Sequence, residues 1–382
     1  MTTTIDELVR VRRQLHAHPE LSMVEHETAA MVARELGVLG LDGLRTGVGK
    51  TGVLGTLRGG KSGPVTLLRA DMDGLPIDEL NEVAYKSQNA HAMHACGHDG
   101  HVSILLAAAK TLAERRAEVP GTLVFCFQPG EEGHAGAKQM MDDGALEDPH
   151  VDRTFALHLY SGLDVGKIGI RDGAFFASAD EYTITLRGHG GHGAMPQHSR
   201  DPIAAGSYLV TLLQTMVSRE IAPKDPAVFT VGKFSAGTTY NVIPDEAVLM
   251  GTVRAFDPAV RQSMPERIER ILAGLCSAMR LEYDFDYHWS YPPTVNAAEQ
   301  NDVVRAVAAD LLDAGNVVDP HEIVMWAEDM SFMQEARPGA YFIVGSRGSE
   351  ASAVPHHNAR FDIDERALEV GYRMMVGLGL RG

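Results

Sequence analysis

Within the stretch His94-Ala-Cys-Gly-His-Asp-Gly-His101, eight residues hold three histidines, a cysteine and an aspartate, just ahead of a long apolar helical pattern. Imidazole nitrogen and thiolate sulfur are the donors that a borderline-soft divalent ion such as Zn²⁺ prefers, and Cys96-x-His98 offers one of each from a tight glycine-containing loop. A thiol that is simply buried and imidazoles that are simply hydrogen-bonded are the structural alternative. A soft and a borderline donor two residues apart favour the metal reading. The remaining donors must come from elsewhere in the chain, so the elements that could deliver them are the next question.

Short apolar runs that end in reactive polar groups answer it. A strand over 64–68 runs into Asp71-Met-Asp73, a continuously apolar strand over 122–127 ends in Pro129-Gly-Glu-Glu-Gly133, and a strand over 153–157 ends at His158. Buried strands of a parallel sheet read as unbroken apolar runs, and in an open sheet of this kind ligand sites form along the edge made by the strands' C-terminal ends. Asp71, Asp73, Cys96, His98, Glu131, Glu132 and His158 would therefore converge. A further apolar strand over 340–344 precedes Pro355-His-His-Asn358, which could bring the last ligand. Helices are expected from the Thr4-x-x-Glu7 capping box to His18-Pro19, and over 27–36, 101–116 and 135–141; a further strand is expected over 52–57.

The middle of the chain has a different order. Strands over 181–187, 228–234, 247–256 and 281–289 alternate with helices over 202–219 and 258–280, giving strand, helix, strand, strand, helix, strand. That order matches a ferredoxin-like split unit. The expected fold is α/β with two domains: a mostly parallel-sheet catalytic domain over 1–179 and 290–382, and an inserted ferredoxin-like α+β lid or dimerisation domain over 180–289.

Composition bounds the function. The 382 residues are 45% hydrophobic and 22% charged with a net charge of −17, which argues against a nucleic acid or an anionic membrane as partner. Three irregularly spaced cysteines make no disulfide framework and point to the cytoplasm. No stretch approaches the roughly 18 apolar residues a membrane span needs. Cys126 and Cys276 read as core residues, and most of the 17 methionines as core filler.

The motifs Arg69-Ala-Asp-Met-Asp-Gly-Leu-Pro76, Met93-His-Ala-Cys-Gly-His-Asp-Gly-His101, Phe127-Gln-Pro-Gly-Glu-Glu-Gly133, Gly190-Gly-His-Gly-Ala-Met-Pro196, Asn241-Val-Ile-Pro244 and Gly251-Thr-Val-Arg-Ala-Phe256 resemble, in order along nearly the whole chain, those of the N-acyl-amino-acid amidohydrolases. This is the branch of the aminoacylase and di-zinc carboxypeptidase family that includes hippurate hydrolases and auxin-conjugate hydrolases. The resemblance implies a two-domain enzyme with a binuclear metal site, two divalent ions per subunit, that hydrolyses the amide of a small N-acyl amino acid, and a homodimer is expected; the native metal could be Zn²⁺, Mn²⁺, Co²⁺ or Ni²⁺. A dipeptidase or carboxypeptidase using the same metals is the alternative within enzymes. A catalytically silent metal-binding module is the alternative outside them, and an unliganded Glu131 argues against it.

Carried onto this chain, the resemblance makes Cys96 a thiolate shared by both metals, with His98 and His158 on one ion and Glu132 and His357 on the other. Ala359 stands where the family's terminal His-x-Pro-x-Phe pattern has proline, and His356 is the alternative to His357. Glu131 becomes the general base. Asp73 orients a ligand histidine or restrains Glu131, whereas Asp71 is read as a turn cap. For Asp99 and His101, at the start of the helix, a structural role and a role behind the ligands stand level. In the inserted domain His192 is implied as oxyanion stabiliser, possibly across a dimer interface, with a satisfied surface histidine as the alternative. Asn241 and Arg254 are the candidates for holding the substrate carboxylate, although Arg254 could equally make a structural ion pair.

Overall fold

The computed structural model describes residues 4–381. α1 (Ile5–Ala17) opens on the Thr4 side chain, which accepts a hydrogen bond from the Glu7 amide and so satisfies one of the helix's unpaired N–H groups. Then come α2 (His26–Gly37), β1 (Gly43–Val48), β2 (Gly52–Arg58), β3 (Lys61–Asp71), α3 (His98–Glu114), β4 (Pro120–Gln128), α4 (Gly136–Asp142), β5 (Arg153–Asp164) and β6 (Ile168–Gly169). The chain next runs through β7 (Ala179–Arg187), β8 (Gly191–His192), α5 (Pro202–Thr215), β9 (Ala227–Ala236), β10 (Val242–Ile243), β11 (Glu246–Ala255), α6 (Pro258–Met279) and β12 (Glu282–Tyr291). It ends with α7 (Ala298–Leu311), β13 (Val317–Val318), α8 (Met330–Ala336), β14 (Gly339–Arg347) and α9 (Ala367–Gly379).

These elements form two compact units. One runs as far as Gly173 and resumes over Val295–Glu322 and from Asp329 onward; the other is Ala174–Thr294 with Ile323–Glu328. The first contains an eight-stranded sheet in the order β1-β2-β4-β3-β5-β14-β6-β13. Its centre, β4-β3-β5-β14, is parallel, while β1 and β2 join antiparallel at one side. β3 and β4 pair with Asp71 opposite Gln128, so both strands end level and the turns that follow start from the same edge. The fold is α/β with a large, mostly parallel sheet.

Helix α3 carries the metal-ligand motif into the core. Every residue from His98 to Ala109 is buried, so that stretch of the helix has no solvent face, and amphipathic periodicity cannot mark where it begins. It starts at His98, three residues before the position expected from sequence, with Gly97 at φ 90° in the left-handed region that leads into it. Leu159 Cβ and the Phe361 ring lie 3.7 Å from where a side chain on Gly97 would begin. α3 packs against α1, α9 and β3.

A buried ionic knot fixes the start of α3. Arg12 of α1 is fully buried and donates to Asp99 Oδ2 at 2.7 Å and to Asp362 Oδ1 at 2.7 Å, with Glu365 at 3.4 Å. His16 meets the same Asp99 oxygen at 2.7 Å through Nδ1. Burial works against both charges, yet the Arg12 and His16 charges hold Asp99 far below the usual carboxylate range.

The second unit is a four-stranded antiparallel sheet in the order β9-β11-β7-β12 with α5 and α6 packed on it, the ferredoxin-like arrangement. Asp201 and Asp257 cap these helices, each accepting two first-turn amides, and each is followed by a proline at the first helical position. Among the described residues no helix is long and apolar enough to cross a membrane.

Because removing one partner of a buried ion pair strands the other, Arg12→Met is expected to cost about 3–5 kcal/mol of unfolding free energy. Urea denaturation measures it; a loss below about 1 kcal/mol would show that Arg12 does not anchor α3.

Candidate metal centre

The geometry begins where β3 and β4 end beside β5; β5 does not stop before His158 as expected from sequence but continues to Asp164, which leaves His158 mid-strand. Cys96 and His98 come from the loop and first turn of α3, His158 from β5, Glu131 and Glu132 from the turn after β4, and His357 from the loop after β14. Ligand atoms of Cys96, His98 and His158 lie within 4.8 Å of one another, as do those of Cys96, Glu132 and His357. Cys96 is therefore common to two three-donor groups. His98, Glu131 and Glu132 form a third such group.

The tautomers are set from behind. His98 Nδ1 faces Asp73 O at 2.9 Å and Asp73 Oδ1 at 3.2 Å, which puts its proton on Nδ1 and leaves buried Nε2 without a hydrogen-bond partner. His158 Nδ1 donates to Leu159 O at 2.7 Å, and its Nε2 lies 3.5 Å from Cys96 Sγ. Histidines that bind metals characteristically donate through the other ring nitrogen in this way. Glu132 Oε1 is also buried without a hydrogen bond, although His357 Nε2 lies 3.1 Å away. His98 Nε2 and Glu132 Oε1, buried without a hydrogen bond and converging with Cys96 Sγ and His158 Nε2, fit divalent ions.

The other candidates separate on the same grounds. His101 spends both nitrogens: Nδ1 meets Asp71 Oδ1 at 2.6 Å and Nε2 accepts the Leu159 amide at 2.9 Å. It braces β5, one residue beyond His158, and has no lone pair left for a metal. Asp71 is not the turn cap expected from sequence; it binds His101 and accepts from Arg69 at 2.5 Å. Asp99 belongs to the Arg12 knot. His356 Nε2 is 2.9 Å from Leu159 O, while His357 faces Glu132 from a backbone at φ 61°. A histidine in that region is strained, and such strain gathers at functional sites. His94 joins none of the donor groups found among the described residues, and burial pushes its ring down to about 4.

Asp73 does two things at once. Besides holding His98, its Oδ2 accepts the Glu132 amide at 3.0 Å and the Ser22 hydroxyl at 2.6 Å. It thus joins His98 of α3 to the turn after β4. Ser22 was invisible to sequence reasoning, since one serine in a polar loop carries no signal, and so were Arg69 and Arg12.

Charge explains why cations belong here. Asp71, Asp73 and Glu131 are all buried, beside a buried thiol. Burial, then Glu132, Glu131 and Asp71, push the Cys96 thiol well above its ordinary range. Burial pulls His98 down, but Asp71, Asp73 and Glu132 outweigh it and push it up to about 10. Burial, then His101 and His356, hold His158 well below its usual value.

In the second unit, β8 and β10 pair with Val242 opposite His192, which sets Asn241 next to that pair. The Ala194 amide donates to His192 Nδ1 at 3.0 Å, so the ring's proton sits on exposed Nε2 as a donor. Burial, offset by Asp180 and Glu181, lowers the half-buried Arg254 guanidinium from its ordinary value. No hydrogen bond or ion pair from it is found among the described residues.

Residues 67–381 match the family model described as Peptidase family M20/M25/M40. The chain is 38% identical over 381 residues to an IAA-amino acid hydrolase of Arabidopsis thaliana, covering 98% of this chain and 86% of that one. It is also 38% identical over 362 residues to a hippurate hydrolase of Campylobacter jejuni, covering 95% and 93%. A Bacillus subtilis protein whose crystal structure is described as a dinuclear metal binding peptidase from M20 family superposes with a TM-score of 0.86 at 34% identity, covering 98% and 97%.

Since an ion must displace protons from Cys96 and His98, raising the pH favours its binding. Chelator-stripped protein is expected to bind Zn²⁺ more tightly at about pH 8 than at about pH 6 and to release protons as it does so. Calorimetry in buffers of different ionisation enthalpy reads this directly; pH-independent affinity would contradict the assignment.

Proposed function

The chain belongs to peptidase family M20/M25/M40, and from that premise and the site's geometry we propose that it hydrolyses the amide bond of N-acyl amino acids to a carboxylic acid and a free amino acid. The observation that carries the reading is Cys96 standing at the corner common to two donor groups, with Glu131 beside them. In this reading Cys96, His98 and His158 hold one divalent ion and Cys96, Glu132 and His357 the other. When bound, the ions supply Lewis-acid chemistry, polarising the amide carbonyl and acidifying water. The naming of a relative as a dinuclear metal binding peptidase supports the count of two. The thiolate and imidazole donors favour Zn²⁺, with Mn²⁺, Co²⁺ and Ni²⁺ as alternatives.

Glu131 takes a proton from the attacking water and returns it to the amide nitrogen. The water oxygen bonds to the acyl carbon, the C–N bond breaks, and the amine leaves neutral. Asp73 keeps His98 in the required tautomer and holds the Glu132 backbone, so the base and its neighbours keep their places. His192, with its donor on Nε2, stabilises the oxyanion. Arg254, lacking a protein partner among the described residues, and Asn241 hold the substrate carboxylate.

The second unit offers a surface for a homodimer. α5 exposes Ile203, Tyr208 and Leu212, and edge strand β9 exposes Phe234, so an apolar patch lies beside an open strand edge suited to isologous pairing. In such a dimer His192 would serve the partner's site. All three cysteines are free, which supports a reducing cytoplasm.

Acetyl, benzoyl and longer N-acyl amino acids, with dipeptides alongside, form the test panel. Chelator-sensitive release of amino acid from the acyl conjugates is expected; cleavage of dipeptides alone would give the reaction to a dipeptidase, and cleavage of neither would leave a silent metal-binding module. Glu131→Gln is expected to keep both ions and lose about 10² to 10⁴-fold in kcat. Near-normal turnover would remove Glu131 from the mechanism, and lost metal would exchange the roles of the two glutamates.

A further inference from the structure

Between α1 and α2 lies a carboxylate that the reaction does not use. Glu25 is fully buried and stands at the head of α2, yet its side chain does not cap that helix. Oε1 instead accepts the Met23 amide at 2.8 Å and the Gly130 amide at 2.9 Å, while Oε2 accepts the Thr51 hydroxyl at 2.6 Å. Three donors from three separate stretches of chain thus close on one side chain.

Gly130 is the residue just before Glu131, and the two sides of Glu131 are tied to different anchors. The Gly130 amide goes to Glu25, and the Glu132 amide goes to Asp73 at 3.0 Å. Gly130 has φ +59°, a backbone that strains any residue with a side chain, and a β-carbon there would press on Met23 Sδ at 2.3 Å. Ser22, in the same loop, reaches both Asp73 Oδ2 at 2.6 Å and Glu132 O at 3.4 Å. The loop 22–25 therefore grips the turn after β4 on both sides of Glu131.

We propose that Glu25 is a positioning residue for the general base: by accepting the Gly130 amide it fixes the backbone from which Glu131 points, and thereby the direction of its carboxylate. The proposal rests on the reading of Glu131 as base. It also explains why the acceptor is buried in the fold rather than left at the helix cap it stands beside. Misplacing a reacting group by about 1 Å can cost on the order of a hundredfold in rate, so small freedom at Gly130 is enough to matter.

The test compares Glu25→Ala with Glu25→Gln. Glutamine can still accept both amides through its oxygen and donate to Thr51, so it preserves the grip without the charge. In Glu25→Ala, kcat is expected to fall about ten- to a hundredfold while KM and metal content stay near wild type. In the metal-free protein, hydrogen exchange over residues 128–134 should speed up about tenfold or more, with β5 unchanged. Glu25→Gln should restore both within a few-fold. Unchanged exchange and kcat in Glu25→Ala, equal loss in both variants, or a rate loss that tracks lost metal would each overturn the proposal. If Glu25→Ala does not fold, Thr51→Val frees one carboxylate oxygen and should act in the same direction to a smaller extent; wild-type exchange and kcat in that variant would overturn the proposal too. The exchange arm needs no substrate: fast exchange in a protein that cleaves no acyl conjugate would sink the substrate reading and leave the grip standing.

Discussion

Everything in the first unit answers to one electrostatic constraint: several acidic groups are buried within a few ångströms of one another, and charge of one sign cannot be kept dry without a counterpart. Arg69, fully buried, balances part of it, donating to Asp71 at 2.5 Å and to Asp329 at 3.0 Å. Arg12 and His16 do the same for Asp99. Asp73, Glu131, Glu132 and the Cys96 thiol lie close by, together with the imidazoles of His98 and His158. Divalent ions would offset that charge, and Cys96 is the donor common to the Cys96/His98/His158 and Cys96/Glu132/His357 groups.

The sheet makes the imbalance possible. β3 and β4 are buried over their second halves and end in Asp71 and Gln128, beside His158 within β5. The turns inherit a rigid base on one side and helix α3 on the other. Hydrogen bonds from the back then hold Nδ1 of His98 and of His158, so that the opposite ring nitrogens face the candidate metal centre. In the second unit, His192 accepts the Ala194 amide at Nδ1, and no hydrogen bond or ion pair from Arg254 is found among the described residues.

Much of this was legible in the sequence, for reasons that differ by residue. The apolar runs that became β4 and β5 were readable because both faces of those strands are buried, and the capping box at Thr4 because its chemistry is local. The start of α3 was misplaced at 101 because a helix buried on all sides has no periodicity to mark its edge. β1, half exposed and crossed by glycines, and α9, with three glycines of its own, left weak patterns. Arg69 and Asp329 are partners across 260 residues, and Glu25 meets Gly130 across 105; nothing local announces either. Asp71 looked like a turn residue since only the fold brings His101 against it. The family resemblance named donors, but the hydrogen bonds that aim them belong to the three-dimensional structure alone.

The central claim is that Cys96 joins two ions, and anomalous diffraction from crystals of the Zn²⁺-loaded protein tests it most directly. Two peaks are expected, both in contact with Cys96 Sγ, one also touched by His98 and His158 and the other by Glu132 and His357. A single peak, or two that do not share the sulfur, would contradict the account.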